Sequence, residues 1–168
     1  MNELTDLFLS ELADIYNAEN QLIKALPKMA KAAQSEELRE AFENHLAETE
    51  QHAERLKQVF ESFDKTAKSK KCHAMEGLVE EAKEIISDNK GDITADAALI
   101  SAAQKVEHYE MATYGTLCCW AKLLGNQQAL SLLKENMSEE EKADKLLNQI
   151  ASSQSNLKAT RRGMATAA

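Results

Sequence analysis

Glycine and proline are scarce, five and one among 168 residues. A β-rich fold built on tight turns needs far more of both, so this chain is not one. Aromatic residues supply only 5%, and β-branched residues are thin. Ala, Leu, Glu, Lys and Gln, all good helix formers, dominate instead. No apolar run approaches the roughly 20 residues of a membrane span. The three cysteines, Cys72, Cys118 and Cys119, form no C-x-x-C pair; that excludes a tetrathiolate zinc or iron site and suits a reducing cytosol. Positive charge is short too. A net charge of −8, with acids and bases interspersed, weighs against a nucleic-acid or anionic-membrane partner. The start, MNELTDLFLSELADIY, has no basic segment of a secretory signal. The expectation is an all-α cytoplasmic protein of one domain.

Apolar residues recur at helical spacing through most of the chain. The first helix is expected from about Glu3 to Ala33 on the stripe Leu4, Phe8, Leu12, Ile15, Leu22, Leu26, Met29, Ala33, with Pro27 kinking it locally because the stripe keeps its phase. Ser35 caps a second helix that opens with Glu36 and Glu37, carries Leu38, Phe42, Leu56, Val59 and Phe63, and fades into the linker KTAKSKK. A shorter helix is expected over about Ala74 to Asp88, then a turn, DNKGD. The third long helix runs from about Thr94 to Leu124 and stops at Gly125; the fourth covers about Asn126 to Ala151. Residues 152–168 have no apolar repeat and read as a flexible tail behind a bundle of residues 1–151. Four rods of about 40 Å, at 1.5 Å per residue, make an antiparallel four-helix bundle, with the short helix in the crossover between the second and third.

Each apolar stripe is interrupted near its middle. Glu19 falls between Ile15 and Leu22; His45, Glu48 and His52 fall between Phe42 and Leu56. Glu107 and Glu110 share a face of the third helix, and Glu140, Glu141 and Asp144 lie between Met137 and Leu147. In an antiparallel bundle these positions meet at one level. Burying one unpaired carboxylate costs several kcal/mol, against a domain stability of about 5–15 kcal/mol. The acids must therefore be protonated, paired with bases or neutralised by bound cations. Lys24, Lys105 and Lys122 read as outer positions, which makes bound cations the economical answer. Oxygen-rich donors with imidazole suit iron or manganese.

The arrangement resembles the ferritin-like di-iron carboxylate bundle, in which two helices each give a Glu and two give Glu-x-x-His. Glu107-x-x-Glu110 is similar to the rubrerythrin-type variant. The segments DIYNAENQLIKALPKMAKAA, HLAETEQHAERL, CHAMEGLVEEAKE, DAALISAAQKVEHYEMATYGTL and LLKENMSEEEKADKLL more closely resemble the YciF-like family of bacterial stress-associated ferritin-like proteins. That resemblance implies Glu19, Glu48, Glu107, Glu110 and Glu141 as ligands of one or two ions. His52 and Asp144 are further candidates. Glu48 has His52 at i+4 and Gln51 at i+3, and Glu141 has Asp144 where a histidine is usual. Glu140 competes with Glu141, because it continues the stripe; Glu141 is favoured for its spacing from Asp144. His45 reads as a supporting histidine, Tyr16, Tyr109 and Tyr114 as core residues, and Cys118 and Cys119 as packing residues. The implied function is a cytoplasmic, homodimeric stress-response protein whose dinuclear iron or manganese site reduces oxygen or peroxide with an unknown electron donor. The alternative is a non-enzymatic, stress-associated dimeric bundle with structural metal or none.

Overall fold

The computed structural model describes residues 3–156 and 160. Five α-helices follow in order: α1 (Glu3–Ala32), α2 (Glu36–Glu61), α3 (His73–Asp88), α4 (Ala95–Leu123) and α5 (Gln127–Ile150). Local chemistry sets their ends. The Ser35 hydroxyl accepts from Leu38 N at 3.3 Å and opens α2, and Asn126 Oδ1 accepts from Ala129 N at 3.0 Å and opens α5. Gly125 ends the α4 region at φ +74°, a left-handed conformation that glycine adopts without strain. Pro27 sits inside α1 on its exposed side, and the helix continues to Ala32. Of the expected tail, Ala151–Ser155 forms a π-helical turn that carries α5 onward; most of the rest lies outside the described residues.

The long helices pack as α1 on α2, α4 on α5, α2 on α5 and α1 on α4, which closes a four-cornered bundle; α3 lies against α1 and α4. Phe8, Leu12, Leu38, Leu56, Leu117 and Leu133 are fully covered, with Phe42 and Ile150 beside them. The corner between α1 and α2 is fastened to the start of α4. There the buried Asp96 carboxylate accepts from the backbone N–H of Gln34 at 2.7 Å and of Ser35 at 2.9 Å. The basic linker after α2 is also pinned. Lys70 N donates to the Ala13 carbonyl at 3.0 Å, and Cys72 N donates to Asn17 Oδ1 at 2.9 Å. These bonds hold α3 across α1 without entering the bundle. Cys119, expected to pack, is exposed, whereas Cys118 is buried.

Candidate metal centre

Inward positions on the four long helices alternate in steps of four and three residues, the spacing of a coiled-coil-like core. On α1 the series is Phe8, Leu12, Ile15, Glu19, Leu22, Leu26, Met29; on α2 it is Leu38, Phe42, His45, Thr49, His52, Leu56, Val59. On α5 it is Ala129, Leu133, Asn136, Glu140, the half-buried Ala143, Leu147, Ile150. Glu110 continues Ala103 and Val106 on α4, and Glu107, one residue past Val106, is buried with it. The apolar core is thus split at mid-height by a layer of Glu19, His45, His52, Glu107, Glu110 and Glu140, none more than 6% exposed.

Two groups form within this layer. His45, Glu107, Glu110 and Glu140 each place a donor atom within 4.8 Å of the others, and so do Glu19, His52 and Glu140. Glu140 belongs to both. Its Oε1 lies 2.8 Å from His52 Nδ1, and its Oε2 lies 3.6 Å from His45 Nε2. His45 Nε2 is 3.2 Å from Glu107 Oε1, and His52 Nδ1 is 3.5 Å from Glu19 Oε1. Glu140 is thus the residue that would help hold a cation in either group.

Outer contacts orient the inner ones. His52 Nε2 meets Glu139 Oε2 at 2.8 Å, and Arg55 holds that carboxylate with Nη1 at 2.7 Å and Nη2 at 3.1 Å. A proton on Nε2 leaves the Nδ1 lone pair facing the cluster, which is the tautomer a metal-ligating histidine needs. The Tyr114 hydroxyl donates to Glu19 Oε1 and accepts from Asn136 Nδ2 at 3.0 Å. Tyr109 is occupied elsewhere: it donates to Asp14 Oδ2 at 2.9 Å and meets Cys72 Sγ at 3.0 Å.

The layer is poorly satisfied on its own. Nine buried side-chain N and O atoms among the described residues make no aligned hydrogen bond, and all nine belong to these six residues; five of them lie 2.8–3.6 Å from an oppositely charged partner. Native interiors hold only a few such atoms per hundred residues, so their concentration in one layer needs an explanation. Protonation equilibria record the same stress. Burial, reinforced by Glu140, Glu19 and Glu107, pushes the Glu110 carboxyl well above its usual range, and burial also raises Glu19. Glu140 is raised to about 7 by burial and by Glu107. Burial pulls His52 down, but hydrogen bonds and charge from Glu140 and Glu19 outweigh it and lift it to about 10. Burial pulls His45 down as well, but Glu107, Glu48 and Glu140 together outweigh it and hold it well above its usual value. A cation would satisfy the orphaned atoms and release those protons. Carboxylate and imidazole donors in a dry pocket fit a first-row divalent ion.

Of the residues singled out in the sequence, Glu19, His52, Glu107 and Glu110 converge. Three do not. Glu48 is 44% exposed at its side chain and only skirts the layer, with Oε2 3.5 Å from His45 Nδ1. Thr49 takes the inward position, its hydroxyl donating to the His45 carbonyl at 2.7 Å. Glu141 is exposed, and its buried neighbour Glu140 faces the core. Asp144 is turned to the α4 flank, where it accepts from Gln104 Nε2 at 3.2 Å and lies 3.4 Å from His108 Nε2. His45, expected in a supporting role, is inside the cluster. The missed signal was the alternation itself: carried unbroken through the polar residues, it selects His45, Thr49 and Glu140 over Glu48 and Glu141.

A bundle of four long antiparallel helices with a buried glutamate–histidine layer at mid-height belongs to the ferritin-like class. Residues 3–160 match the family described as "Domain of unknown function (DUF892)". Protein YciF of Escherichia coli strain K12 is 48% identical over 160 residues, which span 95% of this chain and 96% of YciF. The crystal structure of the E. coli stress protein YciF superposes with a TM-score of 0.86 at 49% identity, covering 90% of this chain and 96% of that one. YcfI of Rhodopseudomonas palustris, described as a proposed structural protein, gives a TM-score of 0.85 at 41% identity over 88% of this chain and 94% of its own. A protein from Xanthomonas campestris shares the fold, with a TM-score of 0.74 at 17% identity over 96% and 99% of the two chains. The chain belongs to the YciF-like family.

Proposed function

We propose that this protein binds a pair of divalent metal ions, iron or manganese, in the mid-height layer and acts as a stress-response oxidoreductase on oxygen or peroxide. The observation that carries this is the gathering of buried donor atoms without aligned hydrogen bonds in six residues that form two groups of metal-binding geometry. Charge balance points the same way, because four carboxylates and two neutral imidazoles match two divalent ions. When bound, a redox-active ion pair supplies electrons to a small oxidant. The chain's own residues do the rest. Glu140 offers one oxygen to each donor group, Glu139 and Arg55 hold the His52 ring, and Tyr114 holds Glu19 through its hydroxyl. The stress association of E. coli YciF, a cytoplasmic location, a homodimer and an external electron donor complete the proposal.

The description of YcfI as a structural protein supports a second reading, in which the bundle is a non-enzymatic stress protein. Its physical basis is that the layer can balance itself by proton sharing, since His52 and Glu140 lie 2.8 Å apart and His45 and Glu107 3.2 Å apart. Metal analysis of protein purified without chelator, then anaerobic Fe(II) loading and exposure to oxygen or peroxide, separates the two. Two equivalents per chain, with a charge-transfer band and oxidant consumption, support the oxidoreductase. Absence of binding, or binding without turnover, supports the structural reading.

A further inference from the structure

We propose that a cavity between α2, α4 and α5 is the route by which divalent cations reach the buried layer, with Glu48 as the receiving carboxylate. The inference rests on the metal-binding reading above. The cavity measures about 420 Å³ and is lined by Phe42, His45 and Glu48 of α2, Glu107 of α4, and Ala143 and Leu146 of α5. It therefore touches two of the six layer residues. Three other surface cavities among the described residues touch none of them.

Exposure falls along this path. The Glu48 side chain is 44% exposed, that of His45 7% and that of Glu107 2%, while Glu140 is fully covered. Beyond it, Glu19 and His52 are also at 0%. The His45 ring spans the passage, with Nδ1 3.5 Å from Glu48 Oε2 and Nε2 3.2 Å from Glu107 Oε1. An ion received by Glu48 thus meets donors in sequence, the outer group before the inner one, with Glu140 shared between them.

The gap has a definite origin. Ala143 follows Glu140 by three residues and shares its face, so a methyl group stands where a longer side chain would close the passage. The walls Phe42 and Leu146 are apolar, and low polarizability beside a carboxylate strengthens its pull on a cation. Lys142 is exposed on the same rim, and its positive charge opposes that pull.

Co(II) loading of metal-free protein, followed by stopped-flow absorbance with the final stoichiometry read in each case, tests the route. Ala143→Phe should slow loading at least tenfold and reach the wild-type endpoint; Glu48→Gln should slow it several-fold, and Lys142→Gln should accelerate it. If the bulky variant packs badly and its endpoint falls, the two rim variants decide, since neither alters the core. Opposite rate changes at Glu48 and Lys142 support the route, and wild-type rates in both overturn it. Should wild-type protein take up no Co(II), the metal-binding reading falls and the route with it. Normal uptake with unaffected rates overturns the route alone.

Discussion

Replacing Glu110 with methionine should stabilise the metal-free protein. Glu110 is 0% exposed, and neither of its carboxylate oxygens has a hydrogen-bond partner. A buried polar group left unsatisfied costs about 1–3 kcal/mol, and burial with like-charged neighbours holds this carboxyl in its neutral form. Methionine nearly matches glutamate in length and volume, so Glu110→Met should add about 1–3 kcal/mol. For a chain of this size each kcal/mol moves Tm by about 2–4 °C, which predicts a rise of roughly 2–12 °C in chelator-treated protein. Added Fe(II) or Mn(II) should raise the melting temperature of wild type by mass action and leave the variant unmoved. The control Glu48→Met, at a half-exposed position, should stay within about 0.5 kcal/mol. Differential scanning calorimetry with and without metal reads all of this. A metal-free Glu110→Met protein that melts at or below wild type would refute the reasoning, because it would mean that the carboxylate is satisfied where it sits.

Exchanging Glu139 for glutamine should weaken metal affinity about 10–100-fold with little loss of helix content, because it loosens the His52 tautomer; unchanged affinity by competition with a chelating dye would deny Glu139 that role. Glu140→Gln should abolish stoichiometric metal uptake, whereas Glu141→Gln and Asp144→Asn should keep it, as elemental analysis can decide. Both Glu140, raised to about 7, and His52, raised to about 10, hold their protons more tightly in the native state. Their contribution to metal-free stability is fully present below the unfolded values of 4.5 and 6.5 and is lost as pH rises through about 7 and about 10. The metal-free melting temperature should therefore fall between pH 5.5 and 9.5 and metal affinity should climb; a rising melting temperature would contradict the proton assignments. Asp96→Ala should cost about 2 kcal/mol, visible as a lower urea midpoint, because two backbone N–H groups lose a charged acceptor.

The helices were legible because their apolar repeats are long and their ends carry ordinary signals. Ser35 and Asn126 cap as their side chains dictate, and Gly125 takes the left-handed conformation that a helix end favours. Glu19 and Glu110 were legible for the same reason, each lying a whole number of steps from apolar neighbours. The stripe is not legible where several polar residues in succession interrupt it. Between Phe42 and Leu56, both Glu48 and Thr49 lie within one turn of the two histidines, and residue chemistry drew attention to the acid. Packing selected the threonine, because the series that α1 and α5 can cover runs through Thr49. On α5 the Glu141–Asp144 spacing outweighed the phase set by Leu133 and Asn136, and phase was the better guide. Glu107 lies on the series Ile100, Ala103, Glu107, Glu110, Tyr114, Leu117, so phase marks it as well as its place beside Glu110.

The departures from Glu-x-x-His acquire a physical meaning once donors are counted by level instead of by helix. The usual ferritin-like arrangement brings four carboxylates and two imidazoles to the bundle centre, one Glu-x-x-His on each of two helices. Here α2 carries both imidazoles and no inward carboxylate, α4 carries two glutamates, and α1 and α5 carry one each. Thr49 and Ala143 stand where a Glu and a His would complete the usual motifs, and His45 and Glu107 restore the count from neighbouring turns. Total charge and donor set are what a buried ion pair responds to, and a layer open to four helices can meet both in several ways. The exchange has a further consequence. A methyl group at Ala143 in place of an imidazole opens one side of the layer toward Glu48, so this redistribution couples the composition of the site to its accessibility.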